Sequence, residues 1–249
     1  MLSAQSKSYL SFIGSLPIKD QYSKQDLLIE DLLMAREGQL EMYYAPHNEY
    51  INPLAKMVIV GITPGWTQME RAYQAAAQSL HRGETDEEAC KAAKIAARFA
   101  GSMRTNIISM LEELELPHYF GIEKASDLFD VNTTLLHTTS LLRYPVFVDK
   151  QNYNGHLPSL TKNEFLYKKA VESFSQEINM LSGPLIIPLG KSVEKVLRQM
   201  IHQNMIQAGN YLWGFPHPSG ANGHRHKQFE TAKLEMIQTL RQLQKNSLS

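Results

Sequence analysis

Short apolar runs alternate with longer amphipathic stretches along this chain. Three of the runs read as strands, and they are residues 56–61, 185–190 and 211–215. A further strand is best placed around residues 135–142, where leucines flank a short polar stretch. A strand covered on both faces appears as a continuous apolar run rather than as an alternation. Strands separated by helices indicate an α/β fold. We therefore expect a three-layer α/β/α architecture around a central, mainly parallel four-stranded sheet.

The stretches between these runs carry apolar residues at helical spacing. Helices are predicted over 24–38 and over roughly 68–114, with breaks near Gly83 and Gly101. Three further helices are predicted after this region: one that ends at Leu181, one that ends near Gly209, and a closing helix that holds Phe229. Residues 39–55 and 143–158 are expected to be irregular. We find no internal repeat and no linker composition, so a single domain over residues 1–249 is predicted.

Composition narrows the class of protein. Of 249 residues, 43% are hydrophobic and 20% are charged, which is typical of a soluble globular chain. The 25 basic and 25 acidic side chains cancel, whereas a non-specific nucleic-acid binder is usually basic. Any nucleic-acid contact must therefore come from a local patch, such as His224-Arg-His-Lys227. The sequence shows neither a secretory leader nor a membrane-length apolar run, so a cytoplasmic protein with no membrane contact is expected.

Cysteine and histidine content bears on cofactors. The single cysteine, Cys90, excludes an intramolecular disulfide and a cysteine-ligated iron–sulfur cluster. The histidines of the 224–227 cluster lack further ligands at metal-binding spacing. We therefore expect no metal and no cofactor.

Two short motifs stand directly after apolar runs. Gly61-Ile-Thr-Pro-Gly65, with Trp66, follows the first run, and His217-Pro-Ser-Gly220 follows the last. Ligand sites of open α/β sheets lie at the carboxyl ends of strands. A histidine there can donate a hydrogen bond to an oxygen that becomes anionic during a reaction. Each motif alone is also compatible with an ordinary polar turn, in which His217 bonds a backbone carbonyl.

Together the motifs resemble the two signature loops of the uracil-DNA glycosylase superfamily, a G-x-[D/N/A]-P-[G/Y] loop and an H-P-S loop. Three further segments are similar to that superfamily in the same order, over about residues 42 to 226. They are Met42-Tyr-Tyr-Ala-Pro-His47, the 137–145 segment that leads into Arg143-Tyr-Pro145, and Ile187-Pro-Leu-Gly-Lys191.

The resemblance implies roles for individual residues. His217 would stabilise the departing base, and Thr63 would line the water position. The implied substrate-binding residues are Gly61, Ile62, Pro64, Gly65, Trp66, Thr139, Ser140, Ser219, Gly220, Asn222 and Arg225. Two positions depart from the family pattern, because Thr63 replaces an Asp or Asn and Thr139 replaces a base-reading Asn. A hydroxyl is neither a general base at neutral pH nor an amide's paired donor and acceptor. Glu49 or Asp149 would be the next candidates for a base.

The expected function is that of a DNA glycosylase-like protein. It would act as a monomer on DNA, single-stranded or lesion-containing, and hydrolyse the N-glycosidic bond of a flipped-out base. Two alternatives remain open. One is a catalytically weak or inactive nucleic-acid-binding protein on the same fold, and the other is a hydrolase of nucleosides or other small molecules.

Overall fold

The computed structural model describes residues 2–99 and 101–247. The helices are α1 (Ala4–Ser15), α2 (Lys24–Leu27), α3 (Trp66–His81), α4 (Asp86–Ala97), α5 (Ser102–Glu113), α6 (Leu116–Phe120), α7 (Asp127–Asp130), α8 (Glu164–Ile178), α9 (Lys191–His202) and α10 (Arg225–Ser247). The strands are β1 (Leu33–Glu37), β2 (Leu40–Tyr43), β3 (Met57–Gly61), β4 (Leu136–Ser140), β5 (Val146–Val148), β6 (Gln151–Asn152) and β7 (Leu185–Pro188). No helix of the described segments is long and apolar enough to cross a membrane.

These elements group into two compact units, each assembled from three chain segments. Unit one takes the chain up to Ile51, Thr63–Arg98 and Leu142–Ser173, and unit two takes Asn52–Ile62, Phe99–Leu141 and the chain from Phe174 onward. The single domain expected over residues 1–249 stays a prediction.

Unit two contains the parallel sheet, in the order β4-β3-β7. Alternate strand residues, such as Met57 and Ile59, face a core that also takes side chains from α5, α6 and α10. On the opposite face, His137 Nε2 lies 2.7 Å from Glu177 Oε1 of α8, and both side chains are buried. Helices therefore cover both faces of this sheet, and the predicted α/β class is confirmed.

The predicted fourth parallel strand, residues 211–215, is wrong. In the described residues the parallel sheet has three strands, and the last segment adds one bridge, between Tyr211 and Ile186. Gly214 then turns the chain away with φ +86°, and its N–H donates to Glu194 of α9. A Cβ at Gly214 would lie 2.9 Å from the Ala232 Cβ. The apolar residues of this run are buried against α10 rather than paired along their length as a strand.

Unit one contains an antiparallel sheet in the order β1-β2-β5-β6. The predicted helix over 24–38 is wrong beyond α2, because β1 pairs with β2 across the two-residue turn Gly38-Gln39. Gly38 has φ +57° and turns a hairpin rather than ending a helix. The stretches expected to be irregular contain β2, β5 and β6. β2 pairs with β5, which is remote in sequence, and β5 pairs with β6 in a local hairpin.

The helical predictions after residue 68 hold well. The breaks near Gly83 and Gly101 separate α3, α4 and α5, and α9 and α10 occupy the last two predicted helical segments. Cys90 of α4 is buried in the apolar core of unit one, and this burial raises the pKa of its thiol. The position agrees with a packing residue rather than a reactive one.

Candidate active site

The loop that carries His217 is held directly against the turn after β7. The Gly190 N–H donates to the Phe215 carbonyl at 2.9 Å. A Cβ at Gly190 would lie only 3.1 Å from the His217 Cβ, and Gly190 has φ +85°. A side chain at 190 would therefore be strained and would collide with the histidine. The turn after β7 and the start of the His217-Pro-Ser-Gly220 motif therefore lie against each other.

The His217 ring is a neutral donor in this setting. Burial lowers its pKa below the ordinary value of 6.5, so the uncharged ring predominates at neutral pH. Nδ1 accepts a hydrogen bond from the Ser219 N–H at 3.3 Å. With Nδ1 as the acceptor, the proton of the neutral ring resides on Nε2. Nε2–H is thus a fixed donor on a rigid loop.

The remaining loop residues mainly hold the loop itself. Asn222 Nδ2 donates to the His217 carbonyl at 3.1 Å and to Gln228 Oε1 at 3.0 Å. Arg225 donates to the Ser219 carbonyl at 2.9 Å, and Ser219 Oγ accepts from the Ala221 N–H at 3.2 Å. In this geometry Asn222, Arg225 and Ser219 all contribute hydrogen bonds within the turn that presents His217.

The ends of β3 and β4 lie side by side in the same unit. Gly61 pairs with Ser140, and a Cβ at Gly61 would lie 3.5 Å from Ser140 Oγ. Val60 pairs with Thr139, whose side chain is about nine-tenths buried. Within the described part of the chain, Thr139 Oγ1 has no hydrogen-bond partner. Ile62 is partly buried just beyond the strand. The hydroxyl of Thr139 is therefore an unused polar group near the carboxyl edge of the sheet.

Thr63 has a different setting, in unit one. Its Oγ1 donates to the Tyr144 carbonyl at 3.0 Å and accepts from the Val146 N–H at 3.0 Å. The hydroxyl thus fastens the chain before β5. A water molecule at this position would have to compete with two backbone hydrogen bonds.

The glycine of the first motif is also engaged within unit one. The Gly65 N–H donates to Gln68 Oε1 at 3.2 Å, and the Trp66 N–H donates to Asn152 Oδ1 at 2.9 Å. Pro64 is buried, whereas Trp66 is partly exposed at the start of α3. The N–H groups of Gly65 and Trp66 are therefore both bonded to side chains of unit one.

The two carboxylates considered as replacement bases differ in their surroundings. The Tyr144 hydroxyl donates a short hydrogen bond to Glu49 Oε1, and burial together with the Glu49 charge raises the pKa of Tyr144. Asp149 lies exposed on a turn with φ +47°. Glu49 is thus built into unit one through Tyr144, and Asp149 is a surface residue.

Two polar residues acquire their settings only in the folded chain. Asn106 of α5, in unit two, donates to the Pro218 carbonyl at 2.8 Å across 112 positions, and no sequence motif indicated it. His47, the last residue of the Met42-Tyr-Tyr-Ala-Pro-His47 segment, is buried in unit one with both ring nitrogens unpaired among the described residues, and burial lowers its pKa to about 3. The motif gave no sign of this burial. Across residues 2–99 and 101–247, no three His, Cys, Asp or Glu side chains are grouped closely enough to hold a metal ion.

The geometry describes an α/β protein with a neutral histidine donor at a sheet edge, and comparison with known proteins identifies its class. The sequence model of the Uracil DNA glycosylase superfamily matches residues 49–241. This chain belongs to that superfamily.

Two relatives illustrate the range of similarity. The protein YoxB of Bacillus subtilis (strain 168) is 47% identical over 236 residues, which cover 94% of this chain and 91% of that protein. The crystal structure of wild-type SMUG2 from Pedobacter heparinus aligns with a TM-score of 0.47 at 12% identity, over 97% of this chain and 99% of that one.

Proposed function

We propose that this protein binds DNA and hydrolyses the N-glycosidic bond of a base that has left the stack. The observation that carries the proposal is the His217 ring, which is neutral, oriented by Ser219 and closed in by Gly190. A preorganised donor of this kind stabilises negative charge where it develops in the transition state. Superfamily membership supplies the substrate class.

The reaction needs only water as a second reactant. As the bond between C1′ and the base nitrogen breaks, its electron pair moves onto the base and reaches a ring carbonyl oxygen. His217 Nε2–H donates a hydrogen bond to that oxygen. Water adds to C1′ and loses a proton to solvent, and the departing base anion takes up one proton from solvent, so the products are a neutral free base and an abasic sugar. The base must be turned out first, because stacking shields this bond in a duplex.

Thr139 is the proposed contact to the base. Its hydroxyl is buried and unpartnered among the described residues, and a buried polar group of this kind costs free energy until it finds a partner. A hydroxyl both donates and accepts, so it fits either a carbonyl or an amino group on a base. Thr139 therefore predicts a less selective base contact than an amide would provide.

The test uses oligonucleotides that each carry one altered base, such as uracil, hypoxanthine or xanthine. Base release is measured by alkaline cleavage at the abasic site, with wild-type protein and with His217→Ala. We expect release of at least one base by the wild type and a loss of roughly a hundredfold or more in the variant, as for other single transition-state donors. An equally active His217→Ala protein would overturn the role of this residue.

A second candidate function is recognition without cleavage. The specific observation in its favour is Thr63, because its hydroxyl already bonds Tyr144 and Val146 and is not free to orient water. Tight binding to an abasic or modified site without base release, by wild type and by Thr63→Asn alike, would support this function. Release from free nucleosides alone would instead indicate a small-molecule hydrolase.

A further inference from the structure

A groove runs between α9 and α10, next to the His217 loop. It encloses about 650 Å³. Residues of α9 form one wall, and residues at the start of α10 form the other. The lining residues are Lys191, Glu194, Lys195 and Arg198 on the first wall, Gly214, Phe215 and Pro216 on the floor, and His224, Lys227, Gln228, Thr231 and Ala232 on the second wall. We call this feature the α9–α10 groove. Its volume is in the range of small-molecule and nucleotide sites.

The charge of the groove is positive although the whole chain is neutral. The side-chain ammonium groups of Lys191, Lys195 and Lys227 have no hydrogen bond or ion pair with other described residues, and all three side chains are exposed. The one acidic lining residue, Glu194, accepts from the Gly214 N–H at 3.0 Å and pairs with Arg198 at 2.8 Å. The first turns of α9 and α10 add the positive ends of two long helices. The groove therefore favours an anionic ligand.

The floor and one end of the groove suit a flat apolar group. Phe215 and Pro216 form an uncharged floor between the lysines. The Arg198 guanidinium on the groove wall lies 4.1 Å from the centroid of the Trp213 ring. Trp213 in turn stacks on Tyr211 at 4.5 Å, and neither of these two rings lines the groove. Guanidinium planes are surfaces on which unpaired bases stack. The groove thus combines an apolar floor and one guanidinium plane with phosphate-binding cations.

We infer that the α9–α10 groove binds an unpaired stretch of the DNA strand that flanks the turned-out nucleotide. The inference rests on the proposed function for its ligand class. Pro216 lines the groove and His217 follows it directly in the chain, so a strand held at His217 leads into the groove. The apolar floor favours an unpaired base, because the bases of a duplex stack on each other and leave no face for the floor.

The test measures binding of a lesion-free oligothymidylate to the full-length protein by fluorescence anisotropy. The variant Lys195→Glu/Lys227→Glu is compared with wild type and with Lys91→Glu/Lys168→Glu, which changes the same charge at two exposed lysines outside the groove. We expect the groove variant to bind at least tenfold more weakly and the control to bind within about twofold. The slope of log affinity against log salt should fall by about 1.4 for two lost phosphate contacts on a single strand.

The outcomes separate this inference from the proposed glycosylase activity. Oligothymidylate carries no altered base, so its binding does not depend on catalysis, and His217→Ala should bind it like wild type. Groove-dependent binding without any base release would leave the inference standing and count against the glycosylase. Base release with unchanged binding by a folded groove variant would overturn the inference, as would absence of wild-type binding at low salt. Groove-dependent capture of an acidic, aromatic peptide in place of the oligonucleotide would assign the groove to a protein partner and overturn it too.

Discussion

Replacing Thr63 with valine tests whether this residue is a structural clamp. Valine keeps the branched shape of threonine and removes only the hydroxyl. That hydroxyl makes two hydrogen bonds of 3.0 Å, one to the Tyr144 carbonyl and one from the Val146 N–H. Both backbone groups lose their partner in Thr63→Val, and both lie in the segment that leads into β5.

The expected loss of stability in Thr63→Val follows from these two hydrogen bonds. A typical intramolecular hydrogen bond contributes about 1 kcal/mol net, and Thr63 is only partly buried, so water can replace part of the loss. The free energy of unfolding should therefore fall by about 1–2 kcal/mol. For a chain of this size each kcal/mol lowers Tm by about 2–4 °C, so we expect a decrease of roughly 2–8 °C.

The assay is thermal and urea unfolding of Thr63→Val beside two reference variants. Thr63→Ser keeps the hydroxyl and should retain most of the stability. Thr67→Val makes the same chemical change at an exposed position in the first turn of α3 and should stay within about 0.5 kcal/mol of wild type. If Thr63→Val unfolds like wild type, the hydroxyl does not fasten this segment, and the water-positioning role of Thr63 regains support.

Three further predictions concern the histidines and the turn at Gly190. His217→Ala should release base roughly a hundredfold or more slowly, while its Tm stays near that of wild type, because the Nε2–H group serves the reaction and not the fold. A large fall in Tm would contradict this separation of roles. His47 is buried and neutral with a pKa of about 3, so the unfolded chain takes up a proton at His47 before the folded chain does as the pH falls below 6.5. The free energy of unfolding should therefore decrease by about one kcal/mol for each pH unit from 6.5 to 5. In urea titrations His47→Leu should flatten that slope, and an unchanged slope would exclude His47 as its source. Gly190→Ala should impair both stability and base release, because the new Cβ would lie 3.1 Å from the His217 Cβ. The control Gly183→Ala, at a position with φ +62° and open space around it, should lower stability only. Equal base release by the two variants would count against the contact between residue 190 and His217.

The sequence by itself determined the parts of this protein that depend on local patterns. Continuous apolar runs located β3 and β7, because a strand buried on both faces is usually apolar along its length, whereas the buried β4 carries histidine, threonine and serine side chains. Glycines and the Thr85 capping box located the breaks between helices, since both act through their immediate neighbours. The two loop motifs indicated the superfamily, because their residues are close together in sequence and in a fixed order.

The tertiary structure decided what depends on partners that are remote in sequence. Residues 40–43 pair with the remote strand β5, and residues 211–215 leave the sheet because Glu194 and Ala232 hold Gly214 elsewhere. The same limit applies to the site. The composition of a motif cannot show that the Thr63 hydroxyl is already bonded to Tyr144 and Val146, or that three lysines line one groove. Hydrogen bonds and charge clusters of this kind are set by chain segments that meet only after folding, so their chemistry is fixed by the fold.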